Sequence, residues 1–411
     1  MKFLHTSDWH IGKTLHGRSR LEEQQRVLRE IVDIARAQEV DAVLVAGDLY
    51  ESGSPSPEAQ SLVVRCLIGL RDSGAQVVVI AGNHDHARSF DAYRPVFAAA
   101  GIAVVGSART ADDGGVIELK TKSSEKATVA VLPFLSQRYA ARTAELVVNT
   151  AAQSSAQYDE FVQRILHALA KGFRRDAVNV VLSHLTVSGA LFGGGERQAQ
   201  SIFDYVVSPA AFPPEAHYVA LGHLHRRQHV PAPCPAVHYC GSPINVDFGE
   251  QDNPSVVLIV EVTPTTPAKV TEIPISQAAK LRTVTGTVAD VVSRGEAGEF
   301  GDDLLRVRVA EQAFAGLRDE VVNALPNAIE IQIDEQFRRQ RSGRSAEESG
   351  LDRPPASLFG DFLKHRNRDA DKRLAALFNA LLDRANDSDG GVDDDIALPP
   401  GPSRVAAAEG I

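Results

Sequence analysis

Gln76-Val-Val-Val-Ile-Ala-Gly-Asn-His-Asp85 is the stretch on which the reading of this chain turns. A β-branched apolar run of strand length ends at Gly82, and three residues able to ligate a metal or carry a proton follow at once. The same pattern recurs at four other places. Lys2–Ser7 is followed by Asp8-Trp9-His10, Ala42–Ala46 by Gly47-Asp48, Val178–Ser183 by His184, and Tyr218–Leu221 by Gly222-His223-Leu224-His225. In layered α/β sheets the loops beyond the carboxyl ends of the strands form the ligand crevice, so five strand ends can bring these side chains to one point. Gly47, Gly82 and Gly222 stand just before the ligand residues, where a strand must turn sharply and its backbone must approach an ion.

Working outward, Ala127–Leu132 and Val256–Val262 read as further strands. Leu21–Glu39 reads as a helix, with Val27, Leu28, Ile31, Ile34 and Ala35 at helical spacing, and Pro57–Ser73 opens with the first-turn chemistry of another. Strands alternating with amphipathic helices predict a layered α/β fold for residues 1–275. Residues 276–337 predict a small α+β domain, with strands Thr283–Thr287, Leu304–Val309 and Ala328–Ile333 and helices Ala289–Arg294 and Phe314–Leu325. Residues 338–355, rich in Arg, Ser, Gly and Pro, predict a linker. Residues 356–385 predict a helical segment that needs a partner: Leu374, Leu377, Phe378, Leu381 and Leu382 form one apolar stripe, below Leu358, Phe359, Phe362 and Leu363. Residues 386–411, an acidic tail, bury too little apolar surface to fold.

The 411 residues are 44% hydrophobic and 23% charged, as in globular proteins, and 43 Lys plus Arg against 53 Asp plus Glu leave a net charge of −10. Nucleic-acid binding would therefore need a local basic patch or bound cations. Residues 336–385 are the basic exception, with eleven Lys or Arg against seven Asp or Glu. Cys66, Cys234 and Cys240 make no disulfide framework, which suits a reducing compartment. The N-terminus lacks a signal-peptide apolar region, and no window has the length of a membrane span; a cytoplasmic protein is the expectation. No phosphate-binding glycine loop stands between a strand and a helix.

The candidate ligands are Asp8, His10, Asp48, Asn83, His184, His223 and His225, too many for one ion, with His84 left over. A carboxylate has two oxygens, so Asp48 can bridge two divalent cations about 3.5–4 Å apart, the spacing used by binuclear hydrolases. Imidazole and oxygen ligation without thiolate points to Mn, Fe or Zn, and carboxylate-rich sites favour Mn2+. Each piece alone has a plainer reading: Gly-Asn-His-Asp as a turn, Gly-Asp as a helix cap, His-x-His as surface residues. It is their joint occurrence after five strands that carries the inference. His5 inside the first strand, and His16, His86, His167, His217, His229, His238 and His365, are read as core or surface residues, Trp9 as a packing residue. Tyr50 and Glu51 line the same strand end.

The order D-x-H, G-D, G-N-H-D, H, G-H-x-H resembles the calcineurin-like metallophosphoesterase superfamily over residues 1 to about 250. Phe3-Leu-His-Thr-Ser-Asp-Trp-His-Ile-Gly-Lys13, Gly47-Asp-Leu-Tyr50, Tyr239-Cys-Gly-Ser-Pro243 and Phe248-Gly-Glu250 narrow the likeness to its SbcD-type nuclease subunits. The resemblance implies a metallophosphoesterase β-sandwich flanked by helices, a DNA-capping domain after it, and a distal segment that docks on an SbcC-like coiled-coil ATPase. It implies Asp8, His10, Asp48 and His225 around one ion, and Asp48, Asn83, His184 and His223 around a second. It makes His84 the catalytic histidine at the scissile phosphate, with Asp85 orienting or charging that imidazole. The implied activity is 3′–5′ double-strand exonuclease and single-strand or hairpin endonuclease action in DNA repair and recombination, by a homodimer within a heterotetramer. The rival readings are a small-molecule phosphodiesterase or phosphatase, and a scaffold with a structural metal; the spare His84 speaks against the scaffold.

Overall fold

A computed structural model of the chain describes residues 1–121, 125–135, 151–196, 206–232, 235–337, Phe359, Leu363 and 373–378. The chain divides into two compact units, Met1–Glu347 and Glu348–Ile411.

Among the described residues the first unit is built on two six-stranded sheets. In the first sheet, Lys2–Thr6, Ala42–Val45, Gln76–Ile80 and Ile102–Val105 run parallel, and the Val256–Thr263/Thr266–Pro274 hairpin joins antiparallel at Lys2–Thr6. In the second, Lys126–Leu132, Val178–His184, Tyr218–Gly222 and Ala236–Tyr239 run parallel, edged by antiparallel Val116–Lys120 and Gln228–Val230. Successive strand side chains point to opposite faces, so an unbroken apolar run feeds two cores at once. Phe3, Leu44 and Val78 face Val129, Leu182 and Tyr218 between the sheets. Val43 and Val77 turn outward onto Val27 and Ile31 of helix Leu21–Ala37 and Leu67 and Leu70 of helix Pro57–Asp72. Val181 and Val219 meet Val162 and Leu166 of helix Ala151–Ala170 on the far side. The layered α/β fold is thus helix, sheet, sheet, helix, as the sequence predicts.

The strands of the first sheet stop one residue earlier than their apolar runs, because Ser7, Ala46 and Ala81 already leave the ladder toward the crevice. Those of the second run one residue longer, pairing Gly222 with His184. A separate three-stranded parallel sheet, Leu281–Gly286, Leu304–Val309 and Ala328–Ile333, is crossed by helices Val288–Glu296 and Leu317–Ala324 and has its own core of Val284, Val291, Val307 and Val321. The second of these helices starts at Leu317, later than its apolar pattern, because Gly316 takes a left-handed φ of 87° at its N-cap. Leu281 and Leu304 pack with Leu15 and Phe248.

In the second unit, Phe359, Leu363 and residues 373–378 are helical, and the Phe359 and Phe378 rings stack with centroids 4.1 Å apart. Part of the distal apolar stripe is therefore covered by its upstream cluster. The expected linker, most of the basic segment and the acidic tail lie outside the described residues. No helix among the described residues is long and apolar enough to cross a membrane.

Candidate metal centre

All seven candidate ligands converge between the carboxyl ends of the two sheets, and each is buried. Three groups of donor atoms close enough to share an ion form there: Asp8, His10 and His225; Asp48, His184 and His223; and His10, Asp48 and His84. His10 Nε2 and His225 Nε2 face each other at 3.0 Å, and His10 Nε2 lies 3.8 Å from Asp48 Oδ2. Asn83 Oδ1 stands 2.8 Å from both His184 Nε2 and His223 Nδ1, and His184 Nε2 is 3.4 Å from Asp48 Oδ2. Asp48 therefore lies between the groups, as a bridging carboxylate must.

The far ring nitrogens of three imidazoles are occupied. Nδ1 of His10 meets Glu51 Oε2 at 3.1 Å, Nδ1 of His225 meets Glu250 Oε1 at 2.5 Å, and Nδ1 of His184 donates to the Ala46 carbonyl at 2.7 Å. Such partners fix the tautomer and leave Nε2 as an inward-facing lone pair. Inward lone pairs beside buried carboxylates are the donor set of a divalent cation, so the residues present fit two ions.

The backbone is bent to make this possible. Among the described residues, six that are not glycine have positive φ, and four are ligands: Asp8 at 54°, His10 at 46°, Asp48 at 52° and His223 at 96°. Such conformations cost of order 1–3 kcal/mol each and persist only where surroundings enforce them. The glycines serve close approach: a Cβ on Gly82 would lie 2.2 Å from Asp48 Oδ1, and one on Gly222 2.1 Å from the Ala46 oxygen.

Electrostatically the site divides. Burial lowers His184, but Asp48 beside it outweighs this and lifts it to about 9. Burial likewise opposes charge on His225, and Glu250 overrides it, lifting it to about 10. Burial holds His10 down at about 4 against the pull of Glu51, and His223 at about 3 with His184 adding repulsion. Burial works against the Asp48 charge, yet His184 and His84 keep it well below the usual carboxylate range. Without ions, protons on His184 and His225 balance the carboxylates; cation binding displaces them.

His84 sits beside the ligands with its backbone N–H donating to Asp48 Oδ1 at 2.7 Å and its ring edge-on to His10 at 4.6 Å. Its Nδ1 donates to the Glu51 carbonyl at 2.8 Å, leaving Nε2 as the working nitrogen. The expectation that Asp85 orients His84 is corrected. The Asp85 carboxylate accepts from the backbone N–H groups of Leu49, Tyr50 and Gly82, at 3.2, 3.0 and 2.9 Å, and so ties two ligand loops together. Burial, with Asp48 nearby, raises it to about 7.

The plainer readings of the other residues hold where the chain is described. His5 is buried between Tyr218 Oη and the Leu221 carbonyl, Trp9 is fully buried, and His86 caps helix Ala87–Ala99. Sequence reading missed Glu250, Glu196 and Ser7. Glu196 Oε1 accepts the His225 N–H at 3.0 Å, and the Ser7 hydroxyl donates to Asp8. No spacing rule announces a buried partner 25 residues from its histidine; only Phe-Gly-Glu250 stood out.

A calcineurin-like phosphoesterase family model matches residues 1–227. Among curated proteins the chain is similar to SbcD, the smaller-lettered half of the SbcCD nuclease name, from Bacillus subtilis (strain 168), at 35% identity over 64% of this chain and 67% of that one. It is also similar to the SbcD proteins of the SbcCD nucleases from Escherichia coli (strain K12), at 32% over 61% and 62%, and Rhodobacter capsulatus, at 36% over 61% and 64%. The match thus spans about two thirds of these relatives' length. With the ligand order, the double sheet and the matched model in agreement, this chain belongs to the calcineurin-like phosphoesterase family, enzymes that hydrolyse phosphate esters, and within it to the group of the SbcD nuclease proteins.

Proposed function

We propose that the chain is a Mn2+-dependent DNA nuclease subunit that hydrolyses phosphodiesters at this centre and works with an SbcC-like ATPase. The observation that carries the reading is the convergence of two ligand groups on Asp48 with an imidazole, His84, beside them that neither group requires. Asp8, His10, Asp48 and His225 hold one ion; Asp48, Asn83, His184 and His223 hold the other. Bound together, two dications neutralise the diester anion and lower the pKa of a bound water. His84, with Nδ1 fixed on the Glu51 carbonyl, presents Nε2 to the phosphate, where its proton stabilises or passes to the leaving oxygen. Asp85 keeps the Asp48 and Asn83 loops in register through three backbone N–H groups.

The relatives' names supply the substrate and the partner. In this reading the three-stranded sheet caps DNA, the distal helices dock the ATPase, two copies of the chain join in a heterotetramer, and the complex acts in the cytoplasm. Polarity is 3′–5′ on double strands, with endonucleolytic opening of hairpins.

The test is hydrolysis of a labelled DNA hairpin and of bis(4-nitrophenyl) phosphate by the purified chain in Mn2+. Cleavage of the hairpin supports the nuclease. Turnover of the generic diester with DNA untouched, even after the ATPase and ATP are added, overturns it in favour of a small-molecule phosphodiesterase. Removal of residues 341–411 should abolish the ATP-dependent part of DNA cleavage and leave generic diester turnover in place.

A further inference from the structure

Beyond the ligands themselves, and resting on the metal reading above, we infer that the two ion positions are unequal. The position framed by Asp8, His10 and His225 holds its ion more tightly, and Glu51 and Glu250 are the positioning residues that make it so.

The two imidazoles of that position are each backed by a carboxylate, His10 by Glu51 and His225 by Glu250, which leaves their Nε2 atoms facing across 3.0 Å. Backing of the second position is weaker in kind. His184 leans on the Ala46 carbonyl, a dipole and not a charge, and no carboxylate hydrogen-bonds the His223 ring among the described residues. A carboxylate behind a ligating imidazole fixes its tautomer and ring plane and strengthens its donor nitrogen; losing one typically costs 10–100-fold in metal affinity.

The Glu250 arrangement is built and not incidental. The residue is 1% exposed, its Oε2 accepts the Val246 N–H at 2.7 Å, and its carbonyl accepts from Asn245 Nδ2 at 2.5 Å. A Cβ on Gly195 would lie 2.0 Å from Glu250 Oε1, which gives the Gly193-Gly194-Gly195 run a purpose. Glu196 closes the same turn by accepting the Gly193, Gly194 and His225 N–H groups. Among the described residues the ion-pair partner of Glu250 is His225, with no lysine or arginine on it. A buried carboxylate is costly unless matched by positive charge, and an ion on His225 supplies that charge through one imidazole. Glu51 is set by Lys13 Nζ, 2.9 Å from its other oxygen.

The full chain titrated with Mn2+ alone, with free Mn2+ followed by its paramagnetic resonance signal, tests this without reference to activity. Wild type should bind two ions in steps separated by about tenfold or more, and Glu250→Gln and Glu51→Gln should each weaken the tight step by about 10–100-fold and spare the other. If Glu250→Gln does not fold, Glu51→Gln, whose side chain is 25% exposed, carries the same test. One shared affinity in wild type, an unchanged tight step in the variants, or equal weakening of both steps overturns the inference. A wild-type chain that binds no Mn2+ overturns instead the metal reading on which it rests.

Discussion

The double sheet of residues 1–274 and the three-stranded sheet of residues 281–333 follow the same rule: parallel apolar strands, crossover helices, a core on the sheet face. They differ at the strand ends. In the double sheet, Asp8, Asp48, Asn83, His184 and His223 leave their strands toward one point. In the small sheet the polar residues at the same places serve local needs. Thr287 Oγ1 accepts the Asp290 N–H as a helix cap, Glu311 accepts the Val288 N–H at 2.7 Å, and Asp334 accepts the Gln336 N–H. The described non-glycine residues with positive φ include four ligands and none from residues 281–333. Apolar periodicity thus makes the fold in both regions, while chemistry arises only where backbone strain turns polar residues inward, against the preference of buried polar groups for nearby partners.

The comparison is broken most severely at its centre. Asp48→Ala removes the oxygens shared by both ligand groups, and generic diester hydrolysis in Mn2+ should fall on the order of a thousandfold or more; activity within tenfold of wild type would mean Asp48 bridges nothing. A smaller effect, on stability, separates glycines of the two regions. Gly82→Ala drives a Cβ onto Asp48 and should cost about 3 kcal/mol in urea unfolding. Gly298→Ala, at φ 76° with nothing within 4 Å, should cost about 1 kcal/mol. Equal costs would remove the distinction drawn between them.

Leu305→Ala, in the small sheet's core, should destabilise by about 2–5 kcal/mol and leave generic diester hydrolysis per folded chain unchanged. A fall in that rate would show the small sheet reaching into the chemistry. The slightest effect concerns His5, held neutral between the sheets with its pKa lowered to about 3 by burial and by His238. Unfolded, a histidine takes its proton near pH 6.5, so stability from neutral His5 is complete above that pH and is lost as pH falls toward about 3. His5→Gln should flatten the drop in urea midpoint between pH 7 and pH 5 for the ion-free chain; an unchanged slope would assign it to other histidines.

What sequence could and could not deliver follows the same division. The strands and the ligands were legible because both are local: a β-branched run, a glycine, a donor residue. The bridging place of Asp48 was legible from valence alone. The true partner of Asp85 was not, because adjacency in sequence to His84 suggests contact while the turn sends the carboxylate back to the Leu49, Tyr50 and Gly82 amides. Glu250 and Glu196 were missed for the opposite reason, since their contact with His225 depends on how distant loops stack.

The central claim, that His84 acts on substrate while seven other residues hold the ions, is tested most directly by His84→Ala assayed for hairpin cleavage and Mn2+ binding in the same preparation. The account predicts two Mn2+ bound as in wild type and cleavage reduced by about 10²–10⁴-fold, the usual worth of a positioned proton donor. Loss of metal together with cleavage, or cleavage undiminished, would contradict it.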